Sequence, residues 1–224
     1  MIRGMFSFNC CPEHQQKVAG LFAKWKFNYV VETGTFYGFT TAFFAERAKQ
    51  VFTIEITPYR WTMHGGGAKH LLEGLTNIES FTGNSTDLLP TILQKIPSDE
   101  KIFFYLDAHG YSYWPLLDEL DIIAQHAGTR AVIVIDDIKV PDKPQYGFDT
   151  YNGVACSLEL IDPHLKKVYP GGYYHEYFNG PVEFQLVLDE TDLNPVEKEI
   201  YLYNLKGTTM GKTGRILIHA KDLV

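Results

Sequence analysis

The sequence predicts an α/β fold: a mostly parallel sheet with helices on both faces and an antiparallel C-terminal edge. Three observations predict it. Apolar strand-like runs alternate with helical patterns from Pro12 to Asp137, the rhythm of parallel strands joined by crossover helices. The runs "YVVE", "KIFFYL" and "AVIVI" are continuously apolar, as expected of strands covered on both faces. After Ile138 the rhythm gives way to closely spaced strand-like runs, which favour antiparallel pairing at the end of the sheet.

The elements follow in order. "PEHQQKVAGLFAKW" is amphipathic and reads as a first helix within an N-terminal helical segment, 1–26. "FNYVVET" reads as a strand, "FTTAFFAERAK" as a helix and "QVFTIEI" as a strand. "PYRWTMHGGGAKHLLEGL" is helical at its ends, with a glycine break at Gly65 to Gly67. "TNIESFTG" is a short strand, and "STDLLPTILQKI" reads as a helix despite Pro90. "KIFFYLDA", "PLLDELDIIAQHA" and "TRAVIVIDD" read as strand, helix and strand. "KVPDKPQYGFDTYNG" is rich in Pro, Gly, Asp and Tyr and reads as a long loop, with "VACSLELI" helical after it. "EFQLVLDE", "EIYLYNL" and "GRILIHA" read as strands. No linker divides the 224 residues, so one domain is expected, with a substrate-side insertion over 138–182.

Composition narrows the function. Apolar residues at 45% can fill a sizeable core, and a net charge of −7 disfavours nucleic acid or an anionic membrane as partner. Three cysteines, Cys10, Cys11 and Cys156, fit neither a disulfide framework nor a zinc ribbon. With no apolar run long enough to span a bilayer and no long apolar core at the start, a cytoplasmic setting is expected.

The informative residues fall where strands end. Glu32 ends the first strand, Glu55 the second, Asp107 the fourth and Asp136–Asp137 the fifth. Ligands of open α/β sheets sit at those ends. One such acid reads as a helix cap; four strand ends agreeing is costly as mere structure. Between Glu32 and the next helix runs "TGTFYGFTT". Gly34 permits a tight turn and Gly38 a close ligand approach. A dinucleotide loop needs G-x-G-x-x-G, whereas this loop is G-T-F-Y-G with Thr41 at the third glycine position. An acid before the first glycine suits a ligand with a positive amino-acid end.

The run E-x-G-x-x-x-G-x-T, Glu32 to Thr40, resembles the first motif of class I S-adenosylmethionine-dependent methyltransferases, whose sheet is Rossmann-like and seven-stranded. The resemblance continues in order to Ile138 through "VFTIEITP", "FTGNSTDLLP", "YLDAHGY" and "VIVIDDI". It implies that Glu32, Gly34, Thr35, Gly38 and Thr40 contact S-adenosylmethionine, that Glu55 holds its ribose hydroxyls, that Asn84 and Ser85 lie near the adenine, and that Asp107 contributes. Asp107, Asp136 and Asp137 also resemble the acids of catechol-type and macrocin-type O-methyltransferases. There such residues hold a divalent cation, Mg2+ or alternatively Ca2+ or Mn2+, which orients the acceptor oxygens. Oxygen ligands suit such a hard cation, and a bound cation acidifies a coordinated hydroxyl. The competing reading leaves Asp107 on the donor and Asp136 and Asp137 on the loop and substrate.

One departure matters: catechol-type enzymes place a lysine base three residues after the first acid, and here Gly110 stands there. His109 is the nearest titratable replacement, acting beside Asp107, against the plainer reading of a histidine bonded at the strand end. The expected activity is methyl transfer to a hydroxyl of a sugar, phenol or secondary metabolite. The alternatives are a nicotinamide-dependent oxidoreductase and a non-catalytic binding protein on the same fold. The partner is a small-molecule acceptor, with a homodimer left open as the assembly.

Other segments carry weaker signals. His64 and His70 have no carboxylate at ligand spacing and read as a surface loop. "YPGGYYHEYFNG", Tyr169 to Gly180, reads as a lid with His175 and Glu176 reaching in, or as a packed connection. "YGFDTYNG", Tyr146 to Gly153, is placed to touch substrate, and "TTMGKTGR" reads as a hairpin rather than a phosphate loop.

Overall fold

The computed structural model describes residues 6–57, 71–109, 113–178 and 213–223, with residue 198 and two short strand pieces, 183–185 and 209–211. Seven strands form one sheet: β1 Tyr29–Thr33, β2 Gln50–Glu55, β3 Ile78–Thr82, β4 Ile102–Leu106, β5 Ala131–Ile135, β6 Tyr173–Tyr177 and β7 Ile216–Ala220. Their order is β3-β2-β1-β4-β5-β7-β6. The first five strands pair in parallel, and β7 runs antiparallel to both β5 and β6. The predicted α/β class with its antiparallel C-terminal end is the observed one.

Strand residues alternate between two layers, as a side-chain period of two requires. Val31, Phe104, Leu106, Ile133, Ile135 and Ile218 face one layer, with Leu89 and Ile92 of helix Ser85–Leu93, Leu120 and Ile123 of helix Leu116–His126, and Ile161 and Leu165 of helix Leu158–Val168. Val30, Val51, Phe103, Tyr105, Val134 and Leu217 face the other, against Val18 and Phe22 of helix Pro12–Trp25 and Phe43 and Phe44 of helix Phe39–Ala45. Each fully buried large side chain contributes roughly 1.5–3 kcal/mol. The same alternation sends Glu32 toward helix Phe39–Ala45, while Thr33 faces the opposite layer. Strand order reverses between β1 and β4, whose ends are adjacent with Thr33 opposite Leu106. That is where a crevice opens in such sheets.

Several expectations are corrected. The edge strand is "YYHEY", Tyr173–Tyr177, inside the stretch read as a lid or packed connection; Glu176 there pairs with Lys17 at 2.7 Å, and His175 lies opposite Ile218 in the ladder. Of "EFQLVLDE", Glu183–Gln185 pairs with Thr209–Gly211 in a separate two-stranded ribbon rather than in the sheet. "VACSLELI" is split: Val154–Ala155 pairs with Thr150–Tyr151 in a small hairpin, and the helix begins at Leu158, capped by Ser157 and running through Pro163. Within 138–182, helix Leu158–Val168 packs its buried Ile161, Leu165 and Val168 into the core, and Tyr173–Tyr177 forms the edge of the sheet. "EIYLYNL", the glycines Gly65 to Gly67, His64, His70 and Gly110 lie outside the described residues. Among the described residues no helix is long and apolar enough to cross a membrane.

Candidate active site

The loop after β1 is pinned to β2 from above and below. The N–H groups of Gly34 and Thr35 donate to the Ile54 carbonyl at 2.9 and 3.2 Å, and Gly38 N–H donates to Thr35 O at 2.8 Å. Gly34 (φ +86°) packs against the end of β4. A Cβ there would come 2.9 Å from the Asp107 carbonyl carbon and closer still to its oxygen. Gly38 (φ +79°) opens helix Phe39–Ala45. Thr40 accepts from Phe8 N–H through its hydroxyl at 3.2 Å, tying this helix to the N-terminal segment.

Glu32 is fully buried beneath the loop. Its Oε2 accepts from the hydroxyls of Thr41 and Thr53, the latter at 2.7 Å, and Thr53 meets Thr35 at 2.6 Å. Its Oε1 has no hydrogen-bond partner among the described residues. Burial raises this carboxyl to about 7, against the opposing effect of the Thr41 and Thr53 hydroxyls. Glu32 thus braces the loop from inside. Glu55 stands at the end of β2 with both oxygens accepting backbone N–H groups, from Phe36 at 2.9 Å and Thr57 at 3.1 Å. A carboxylate keeps acceptor capacity beyond two such bonds, enough for a diol.

Asn84 caps helix Ser85–Leu93, its Oδ1 accepting from Thr86 N–H at 3.3 Å. Ser85 is buried beside Thr33 and Glu119, a residue the sequence reading missed. Burial raises Glu119 to about 7, while the neighbouring hydroxyls of Ser85 and Thr33 favour its charge without forming full hydrogen bonds.

The acids of β4 and β5 separate into two groups. Asp136 turns inward. Its Oδ2 takes Arg215 Nη2 at 2.5 Å and the Tyr105 hydroxyl at 2.6 Å, and its Oδ1 takes the Thr213 hydroxyl and Asp137 N–H, each at 2.9 Å. Burial opposes its charge, but Arg215 overcomes that and holds Asp136 below the usual carboxylate range. Arg215 is itself 1% exposed and touches His14 of helix Pro12–Trp25. Gly214 makes this possible: a Cβ there would lie 3.2 Å from the Ile138 carbonyl carbon and closer to its oxygen, so only glycine lets the two loops meet.

The other group faces outward. His109 Nδ1 lies 3.7 Å from Asp107 Oδ1, 3.8 Å from Asp137 Oδ2 and 3.6 Å from Asp149 Oδ2, with half of the histidine side chain exposed. Asp137 reaches this position from a left-handed backbone (φ +55°). Burial, then the charges of Asp136 and Asp137, raise Asp107 well above the usual range. Burial and Asp136 raise Asp137 to about 7. Burial also raises Asp149, against the pull of His109. Asp149 was not singled out by the sequence reading, though its loop was. Among the described residues, Asp107, His109 and Asp137 form a group that could hold a cation, each offering a ligand atom within 4.8 Å of the others. Asp136, expected in that set, is not brought to it. Trp114 stacks on Tyr151 of the small hairpin, ring centroids 5.2 Å apart.

No protein-family model matches the chain, and no curated protein matches it in sequence. Solved structures do match in shape. The O-methyltransferase TomG from Streptomyces achromogenes, involved in tomaymycin synthesis and solved in complex with SAM, is 16% identical, with 92% of this chain and 78% of TomG covered at a TM-score of 0.56. The O-methyltransferase from Bacillus cereus, solved in complex with SAH, is 15% identical over 92% of this chain and 80% of that one, at a TM-score of 0.54. At such identities the likeness is one of architecture, and it agrees with the strand order and the antiparallel β7: the chain has the fold of S-adenosylmethionine-dependent O-methyltransferases.

Proposed function

We propose that this chain is an S-adenosylmethionine-dependent methyltransferase acting on a hydroxyl of a small molecule. The observation that carries the reading is the position of Asp107, which joins two sites. Its backbone carbonyl abuts Gly34 of the glycine loop, and its carboxylate lies beside His109. A donor cradled by the Gly34–Gly38 loop, with its ribose on Glu55 and its adenine near Asn84 and Ser85, would present its methyl group toward the His109 cluster. His109 would take the acceptor's proton, and a donor held there would supply an electrophilic methyl group to the acceptor oxygen and leave as S-adenosylhomocysteine. Positioning and proton removal are the tasks left to the protein, because the sulfonium is already electrophilic.

The carboxylate-lined site and the net charge of −7 favour a small molecule over nucleic acid. A cytoplasmic setting belongs to the same proposal, supported by the buried Cys156, which forms no disulfide among the described residues. A second reading is favoured by the convergence of Asp107, His109 and Asp137, which would hold a divalent cation. A cation there would acidify the acceptor hydroxyl. Activity surviving thorough chelation would remove this second reading.

Calorimetric titration with S-adenosylmethionine, S-adenosylhomocysteine and NAD tests the main one. Binding of the first two and not the third is the expected result, followed by transfer of labelled methyl to hydroxyl compounds. Binding of NAD alone would instead support an oxidoreductase.

A further inference from the structure

We propose that Arg215 is a positioning residue for the acceptor side of the site: by holding Asp136 inward it turns the Asp137 carboxylate to the open face and seats the loop that carries Asp149. The consequence for turnover rests on the methyltransferase reading; the geometry does not.

Asp136 is the point where the acceptor side is tied to the core. Its Oδ2 accepts from Arg215 Nη2 at 2.5 Å and from the Tyr105 hydroxyl at 2.6 Å, and its Oδ1 accepts from the Thr213 hydroxyl and from Asp137 N–H, each at 2.9 Å. These bonds fill about the whole acceptor capacity of a carboxylate, so the orientation of the group is set. The guanidinium is fixed in turn. Arg215 is 1% exposed, and its Nη1 reaches the ring of His14 on helix Pro12–Trp25. That ring lies through Nε2 3.1 Å from the Phe178 carbonyl, and Phe178 N–H donates back to Arg215 O at 3.1 Å. A rigid planar fork suits such a post between a helix and a strand end.

From Asp136 the constraint passes along the backbone. Its bond to Asp137 N–H holds Asp137 in a left-handed turn (φ +55°), which a non-glycine residue keeps only where its surroundings impose it. With Asp136 inward, that turn leaves Asp137 Oδ2 3.8 Å from His109 Nδ1. Asp137 O then accepts Asp149 N–H at 2.8 Å. The residue before Arg215 grips the same loop: Ile138 N–H donates to Gly214 O at 2.9 Å, and Gly214 N–H donates to Gly147 O at 3.0 Å. The segment 213–215 therefore places two of the carboxylates near His109, although neither belongs to it.

A purely structural ion pair and a positioning one respond differently to replacement. Removing one partner of a buried pair destabilises, whereas replacing both by apolar side chains of similar volume is often neutral for the fold. Arg215→Met alone should lower the melting temperature. Arg215→Met combined with Asp136→Leu should recover it without recovering the site, because nothing then holds Asp137 N–H. In that double variant, turnover should stay roughly 10–100-fold below wild type, the loss expected of a misplaced acceptor side, with unchanged S-adenosylhomocysteine affinity. The Asp137 amide, identified in NMR spectra by its shift in Asp137→Asn, should exchange with solvent roughly tenfold faster or more, as for loss of a hydrogen bond to a charged group. Thr213→Val keeps the ion pair and should quicken the same exchange while melting near wild type. Turnover restored together with stability in the double variant would overturn the proposal and leave the pair a structural one. Wild-type exchange at Asp137 in the double variant would also overturn it, as would wild-type exchange in Thr213→Val if the double variant does not fold. The exchange measurement needs neither donor nor acceptor, so a wild-type protein that transfers no methyl group would end the methyltransferase reading and leave this result standing.

Discussion

Replacing Gly34 by alanine should damage both stability and donor binding, by an amount the structure allows to be worked out. Gly34 sits at φ +86°, a left-handed conformation that costs an L-residue roughly 1–2 kcal/mol. The new Cβ would also lie 2.9 Å from the Asp107 carbonyl carbon, closer still to its oxygen, and 3.3 Å from Ala108 N. All three are backbone atoms at the end of a central strand, so no rotamer change relieves the overlap. Overpacking of that kind costs about 1–3 kcal/mol more. The sum, roughly 2–5 kcal/mol, corresponds for a chain of this size to a melting temperature lower by roughly 5–20 °C. Gly153 provides the control. It sits at φ +78° with nothing within 4 Å of its would-be Cβ, so Gly153→Ala should incur the backbone cost alone. The difference between the two variants isolates the contact with Asp107. Thermal melts and calorimetry with S-adenosylhomocysteine measure both effects, and Gly34→Ala should lose at least tenfold in affinity on top of its stability loss. Equal melting points for the two variants, or wild-type affinity in Gly34→Ala, would refute the claim that the loop and the β4 end are packed at this distance.

Glu55→Ala should weaken S-adenosylhomocysteine binding by roughly 1.5–3 kcal/mol, the worth of a charge-assisted hydrogen bond, as read by calorimetry. His109→Ala should lower turnover roughly 10²–10⁴-fold while donor affinity barely moves; near-normal turnover would take the residue out of the mechanism. Glu119→Gln should flatten the pH dependence of stability. A buried carboxyl raised from 4.5 to about 7 binds more protons folded than unfolded between those values, so stability falls as pH rises through that window and levels off above it. The loss is roughly 3 kcal/mol for a shift of that size, and urea unfolding at pH 5 and pH 8 should show a smaller difference in the variant than in the wild type.

The parallel half of the fold was legible because its signals are local. "YVVE", "KIFFYL" and "AVIVI" are buried on both faces, and a short apolar run has few other structures open to it. The last third was harder to read. "YYHEY" is half-exposed at the sheet edge, and no alternation distinguishes it from a loop. The helix Leu158–Val168 runs beyond "VACSLELI" and through Pro163, and its buried Ile161, Leu165 and Val168 fix it against the sheet. Tertiary packing decided both cases, and packing leaves little trace in a short window.

The site divides in the same way. Gly34, Gly38 and Glu55 announce themselves because a strand-to-helix turn with glycines has few other uses. The pair Asp136–Asp137 could not be resolved from sequence, because two adjacent identical residues carry no sign of which one turns inward. The deciding partner is Arg215, far along the chain, delivered by β7 only because Gly214 lets the two loops touch. Once the guanidinium has claimed Asp136, three other carboxylates, Asp107, Asp137 and Asp149, each keep an oxygen within 4 Å of His109 Nδ1. They come from three separate segments, so no single stretch of sequence shows that they meet.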